Sequence, residues 1–196
     1  MHSRCAHLEK TMKYLLPGEE TERILFRTIE TSDFNNWLEF FKSPVAHQHW
    51  IYEAASPGME CKKWYKKQFY RYKNNLGGMN ALIEKKTKTL IGHCGLLVQT
   101  VDDETELEIG YSLLPGFWNK GFATEAAKKC RDFAFENNWT TSLISIISLT
   151  NKPSENVALK NGMQIEKVTE YRGNKVNIFR IGKAEWKKQR QRITMV

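Results

Sequence analysis

Residues 142–149 read Ser-Leu-Ile-Ser-Ile-Ile-Ser-Leu, a run dominated by Ile and Leu. A run of that kind is a central, buried strand, so the chain has to build a sheet around it. The flanking sequence supplies the pieces. Upstream, Gly121 opens a helix whose inner stripe is Ala123, Ala126, Ala127, Cys130, Phe133 and Ala134, with Glu125, Lys128, Lys129, Asp132 and Glu136 outside. Downstream, residues 151–161 form a short helix with Pro153 in its first turn and Gly162 just past its end. Three earlier strands, 80–84, 90–99 and 105–113, follow one another through short polar turns, which argues an antiparallel meander. A last hairpin spans 163–171 and 175–183 about Arg172-Gly173-Asn174.

The beginning of the chain is helical and basic. After a strand at 23–29, Thr31 and Ser32 cap a helix with an apolar face of Phe34, Trp37, Leu38 and Phe41, which Pro44 ends. Residues 61–74 form a second helix with Cys61, Tyr65, Phe69 and Tyr72 on one face. Residues 1–21 read as an extension ahead of the fold, and 185–196 as a loose basic tail. The length of 196 residues fits one domain, and 41% hydrophobic content is too high for a disordered chain. No apolar run approaches the ~20 residues of a membrane span. The start lacks an apolar leader core, and Cys5, Cys61, Cys94 and Cys130 form no CxxC pair. A reducing cytoplasm is therefore expected, without a zinc ribbon or a disulfide scaffold. Cys94 and Cys130 read as small core hydrophobes.

The formal charge of +8 invites a polyanion partner, but it is local. Six cations and no acid lie between Lys62 and Lys73, and five cations against Glu185 lie between Lys183 and Arg192. The rest of the chain is close to neutral, with an acidic run at Asp102, Asp103, Glu104, Glu106 and Glu108. The basic helix reads as an outer helix with solvated lysines; RNA binding through its lysines and aromatics is the competing reading.

Chemistry concentrates in two segments. The first runs Glu-Leu-Glu-Ile-Gly-Tyr at 106–111 into Phe-Trp-Asn-Lys-Gly-Phe-Ala-Thr at 117–124. A tight loop with Gly121 at a helix start lets backbone N–H groups converge on an anion, and Lys120 adds a full charge. Neither GxxxxGK[ST] nor GxGxxG is present, so this is not a P-loop or a dinucleotide turn. The second segment, Asn151…Ser154…Asn156…Lys160…Gly162-Met163, puts amides and a hydroxyl at a helix start just after the buried strand, where α/β sheets commonly bind ligands.

Together these segments resemble the GNAT superfamily of acetyl-CoA-dependent N-acetyltransferases, and in particular its RimJ/RimL-like branch, over residues 22–184. Trp118 stands where the family's loop usually has Gln or Arg. The resemblance implies a mixed α+β fold: a mostly antiparallel seven-stranded sheet with a splayed parallel pair, flanked by about four helices. It implies that acetyl-CoA is the cosubstrate. The N–H groups of Asn119, Lys120, Gly121, Phe122, Ala123 and Thr124 would hold its pyrophosphate. Its arm would run beside Tyr111, Ser112 and Leu113, with Asn151 bonding to it and Asn156 near it. Glu108 is expected as the general base, with Glu106 on the same strand face as reserve. Ser154 is expected as the general acid, although water could protonate the thiolate instead. His47, His49 and Trp50 would wall the acceptor site; His47 and His49 lack a third ligand, so no metal is expected.

The expected reaction is direct attack of a primary amine in a ternary complex. The acceptor could be a protein N-terminus, a polyamine drawn to Glu104, Glu106 and Glu108, or another small amine. A non-catalytic RNA- or ribosome-binding module on the same scaffold is the alternative. A monomer or a homodimer fits, with no membrane contact.

Overall fold

A computed structural model describes residues 13–46, 48–49 and 56–194, with the backbone alone at 193–194. Seven strands make one sheet in the order β1-β2-β3-β4-β5-β7-β6. They are β1 Ile24–Arg27, β2 Gly77–Glu84, β3 Leu90–Val101, β4 Glu104–Leu113, β5 Ser142–Ser148, β6 Gln164–Tyr171 and β7 Asn174–Gly182. The described α-helices are α1 Phe34–Lys42, α2 Pro57–Lys73, α3 Phe122–Glu136, α4 Lys152–Lys160 and α5 Lys183–Thr194. The 142–149 run supplies β5, an interior strand of the sheet between β4 and β7, with Leu143, Ile144, Ile146 and Ile147 buried. None of the described helices is long and apolar enough to cross a membrane.

The two faces of the sheet are covered by different helices. On one face, Phe122, Ala126, Ala127, Cys130 and Ala134 of α3 join Leu82, Leu96, Ile109 and Phe179 in the main core. On the other, Trp37, Phe40 and Phe41 of α1 meet Cys61 and Tyr65 of α2. Trp37 stacks on Phe40 at 4.4 Å; truncating such a buried aromatic costs about 3–5 kcal/mol. Cys94 and Cys130 lie buried as free thiols, hydrogen-bonded Sγ to Sγ at 3.6 Å, in the core positions expected of them.

Three boundaries differ from the sequence reading, each for a physical reason. Thr31 and Ser32 do not cap α1; with Asp33 they form a 3-10 turn leading into it, and that turn is boxed by the carboxylates of Glu30 and Asp33. Asp33 accepts the Glu30 N–H at 3.0 Å and is held in a two-pronged pair by Arg27 at 2.7 and 2.6 Å. The segment assigned to an N-terminal extension is partly core. Leu15 and Leu16 are buried, and the Leu16 N–H donates to the fully buried Asn80 side chain at 2.9 Å. The tail assigned as loose is helix α5. Its Trp186 packs on Phe135 at 5.3 Å and donates to Asp132 at 2.7 Å, so one buried aromatic docks an otherwise polar helix.

β4 and β5, the parallel pair, share a single registered pair, Glu108↔Ile144. Beyond it the strands part. The buried Ser145 hydroxyl bridges the gap by donating to the Ile109 carbonyl at 2.9 Å. The opening this leaves is where the fold presents unpaired backbone.

Candidate functional site

A cavity of about 510 Å³ occupies the splay. β4 contributes Glu108, Tyr111, Ser112 and Leu113 to its wall, and β5 contributes Ser145. The loop after β4 contributes Asn119 and Gly121, and the first turn of α3 adds Phe122, Ala123 and Thr124. Asn151, Ser154 and Asn156 line it from the start of α4, and His49 from the loop after α1. Thirteen residues singled out from the sequence thus face one cavity or its rim. Lys120 and Glu106 are not part of the wall, and His47 and Trp50 lie outside the described residues.

At one end the wall is backbone. Asn119 has φ 58° and Gly121 has φ 83°, so the chain turns twice through the left-handed region just before α3 begins. Successive N–H groups in such a turn, backed by a helix start, form an anion cradle. A side chain at Gly121 would be strained by its φ, while the space above it is open apart from Arg23 Nη2 at 3.3 Å. Trp118 explains its departure from the usual Gln or Arg: its Nε1 donates to the Leu113 carbonyl at 2.8 Å and ties the loop to the end of β4. The Lys120 ammonium bends back to the Gly116 carbonyl at 2.7 Å.

No signal in the sequence marks the brace behind this loop. Arg23 donates to the Lys120 carbonyl at 2.9 Å, pairs with Glu125 at 2.6 Å, and lies over the Phe122 ring at 4.3 Å. Glu125 also accepts from the Thr21 hydroxyl and the Arg23 N–H. Burial pushes the Glu125 carboxyl up, but these donors and the Arg23 charge hold it below its ordinary value.

At the other end the wall is charged side chain. Glu108 is partly buried and receives the Gln99 amide at 2.6 Å. Gln99 in turn accepts from the Tyr171 hydroxyl at 3.0 Å. Burial raises the Glu108 pKa, against the lowering effect of the Gln99 hydrogen bond and of Arg71, Lys67 and Arg172. Glu106, the reserve base, is locked instead by Arg180 at 2.5 Å, which also pairs with Glu166 at 2.9 Å. An engaged carboxylate outside the cavity is poorly placed to take a proton from a ligand.

The α4 end supplies hydroxyls. Asn151 caps α4 by accepting the Ser154 N–H at 3.1 Å, and its amide nitrogen is not used by that bond. The Tyr111 hydroxyl donates to the Ser154 carbonyl at 2.8 Å, and burial pushes its phenol pKa up. His49 contacts the Thr150 hydroxyl at 2.9 Å. Among the described residues no group of three or more His, Cys, Asp or Glu side chains could hold a metal ion.

The family model for the acetyltransferase (GNAT) domain matches residues 23–164. Uncharacterized protein YkkB of Bacillus subtilis (strain 168) is 29% identical over 151 residues, covering 75% of this chain and 85% of that protein. Among solved structures, RimL, a ribosomal alpha-N-protein acetyltransferase in complex with coenzyme A, superposes with TM-score 0.67 at 14% identity, covering 84% of this chain and 97% of that one. Spermidine N-acetyltransferase from Vibrio cholerae, in complex with CoA and spermine, does so with TM-score 0.67 at 17% identity, covering 85% and 99%. Two neighbours with such different acceptors fit the fold equally well, so the fold does not choose the acceptor.

Proposed function

The chain belongs to the GNAT acetyltransferase family, and from that premise we propose that it moves the acetyl group of acetyl-CoA to a primary amine by direct attack in a ternary complex. The observation that carries this reading is one cavity with a backbone anion cradle at Asn119–Thr124 and a partly buried carboxylate, Glu108, on the same splayed strand pair.

The N–H groups of Asn119, Lys120, Gly121, Phe122, Ala123 and Thr124 would hold the pyrophosphate. Tyr111, Ser112 and Leu113 would run beside the arm, with Asn151 bonding to it and Asn156 adjacent. Acetyl-CoA supplies an activated thioester. Glu108 takes the proton from the attacking amine; a carboxyl raised by burial is a better base near neutral pH than an ordinary one. Gln99 holds that carboxylate in place. β4 backbone N–H groups polarise the acetyl carbonyl. Ser154 protonates the departing thiolate. The three free, buried cysteines Cys61, Cys94 and Cys130 fit a reducing cytoplasm as the setting.

The test is thermal and catalytic. Saturating acetyl-CoA raises the melting temperature, since ligand at 100 times its Kd adds about 2.7 kcal/mol. An acceptor screen shows amine-dependent consumption of acetyl-CoA. No melting shift, together with no CoA heat in calorimetry, overturns the reading.

A further inference from the structure

A splayed sheet meets its ligand with the main chain that the splay leaves unpaired, and the register of β4 says which groups those are. Successive residues of an antiparallel strand turn their N–H and C=O alternately toward one neighbour and away from it. The Leu114 N–H donates to the Ile91 carbonyl at 3.0 Å, on the β3 side. β4 pairs with β3 without a shift from Glu104 to Leu113. The even-numbered residues of β4 therefore face β3, and Ile109, Tyr111 and Leu113 turn both main-chain groups toward β5. Glu108↔Ile144 is the single registered pair with β5, so past Ile109 these groups open into the cavity.

Side chains then remove two of the three acceptors on that edge. The buried Ser145 donates its hydroxyl to the Ile109 carbonyl at 2.9 Å. Trp118 donates Nε1 to the Leu113 carbonyl at 2.8 Å. Both residues belong to the cavity wall. Between them remain the Tyr111 N–H, the Tyr111 carbonyl and the Leu113 N–H, without a partner among the described residues. The edge thus offers donor, acceptor, donor in place of an even alternation. The carbonyl engaged by Trp118 lies at the cradle end of the cavity. The carbonyl engaged by Ser145 is one residue from Glu108, at the end where the reacting group would sit.

Resting on the acetyltransferase reading above, we propose that Ser145 is a positioning residue for the reacting thioester, and that Trp118 is its counterpart for the arm. Without Ser145 the Ile109 carbonyl would turn its negative end toward the place where the acetyl oxygen gathers charge as the amine attacks. The Ser145 hydroxyl offsets that dipole and leaves the Tyr111 N–H to face the oxygen, a fixed donor aimed at developing charge. Trp118 does the same to the Leu113 carbonyl, so an arm that carries amides meets one unambiguous pattern of partners. Neither side chain touches the reacting atoms; each acts through the β4 main chain.

The experiment binds the full chain to acetyl-CoA isotopically labelled at the thioester carbonyl, with no amine present, and reads the carbonyl stretch by infrared difference. A hydrogen bond from the Tyr111 N–H lowers that band below its position in free acetyl-CoA. In Ser145→Ala the band moves back toward the free position. Its kcat falls about tenfold, less than the loss of a direct oxyanion donor, and the KM of acetyl-CoA changes less than about twofold. Ser145→Cys, a weaker donor of similar shape, falls between the two in band and kcat, and decides the point if the alanine variant does not fold. Trp118→Phe gives the opposite split: the KM of acetyl-CoA rises severalfold, kcat falls less, and the band keeps its wild-type position. An unshifted band in the wild-type chain overturns the inference and leaves the acetyltransferase reading intact. So do a wild-type band and kcat in Ser145→Ala, or a loss in that variant confined to KM. No CoA binding and no transfer to any amine overturns both.

Discussion

The two ends of the cavity are built from different materials. The donor end is main chain: two left-handed residues, Asn119 and Gly121, turn the backbone so that N–H groups gather at the start of α3. Its nearby charges cancel one another, Arg23 against Glu125, and Lys120 is turned back onto its own loop. The other end presents a side chain: Glu108 is held by Gln99, the charges of Arg71, Lys67 and Arg172 act on it from outside the cavity wall, and Glu106 is withdrawn by Arg180. A backbone cradle suits a ligand that never changes, because substitution of most side chains leaves N–H directions intact. A side-chain cage is retuned one residue at a time. The difference predicts that variants at the acceptor end alter turnover and acceptor choice, while variants at the donor end alter CoA affinity.

Glu108→Gln breaks the comparison most severely if it fails. It keeps the shape of the site and removes the base, so kcat falls by about 10²–10⁴ with CoA binding unchanged. The pH profile carries a second signature. The base works ionised, so the wild-type rate falls as pH falls through the Glu108 pKa, which burial places above the usual carboxylate value. The variant loses that acidic limb. Ser154→Ala comes next. Loss of a hydroxyl acid lowers kcat by about 10², and the α4 cap survives because Asn151 bonds to the Ser154 main chain. Wild-type turnover in Ser154→Ala assigns thiolate protonation to water.

Gly121→Val tests the donor end. A β-branched residue at φ 83° is strained by about 1–2 kcal/mol, which the loop relieves by turning its N–H groups away. The Kd for CoA rises about tenfold in calorimetry, and kcat at saturating acetyl-CoA changes far less. A large loss of kcat with unchanged CoA affinity would reverse the assignment of the two ends.

The backbone-walled end of the cavity was legible in the sequence and the surroundings of Glu108 were not, for the same reason that they differ. A backbone cradle is written in contiguous residues, and Phe117–Thr124 can be read as a unit with its glycine and its helix start. The buried run at 142–149 and the strand-helix alternation around it likewise announced the sheet, because period and apolarity are local properties. Glu108 was visible because it lies in the same segment. Gln99, Lys67, Arg71 and Arg172 come from three other elements, and only the antiparallel register of β3 on β4 and the β6–β7 turn bring them together. The same limit hid Arg180 as the partner of Glu106, 74 positions away. It also hid the docking of Leu15, Leu16 and Trp186, whose burial depends on surfaces built by distant strands and helices.

The mildest variant, Arg23→Ala, asks how far the donor end depends on side chains at all. Arg23 touches the cradle through the Lys120 carbonyl and secures Glu125 in the first turn of α3. Its side chain is 40% exposed, so its pair with Glu125 is screened by solvent and contributes on the order of 0.5–1 kcal/mol. Glu125 keeps its Thr21 and Arg23 main-chain donors in the variant, so α3 still begins at the same place. The expected result is a two- to fivefold rise in the Kd for CoA (about the same energy) with unchanged acceptor preference. The effect weakens in 0.5 M salt because part of it is an exposed charge pair. A rise much greater than this, persisting in salt, makes Arg23 a direct phosphate ligand, and the donor end would then depend on side-chain charge as the acceptor end does.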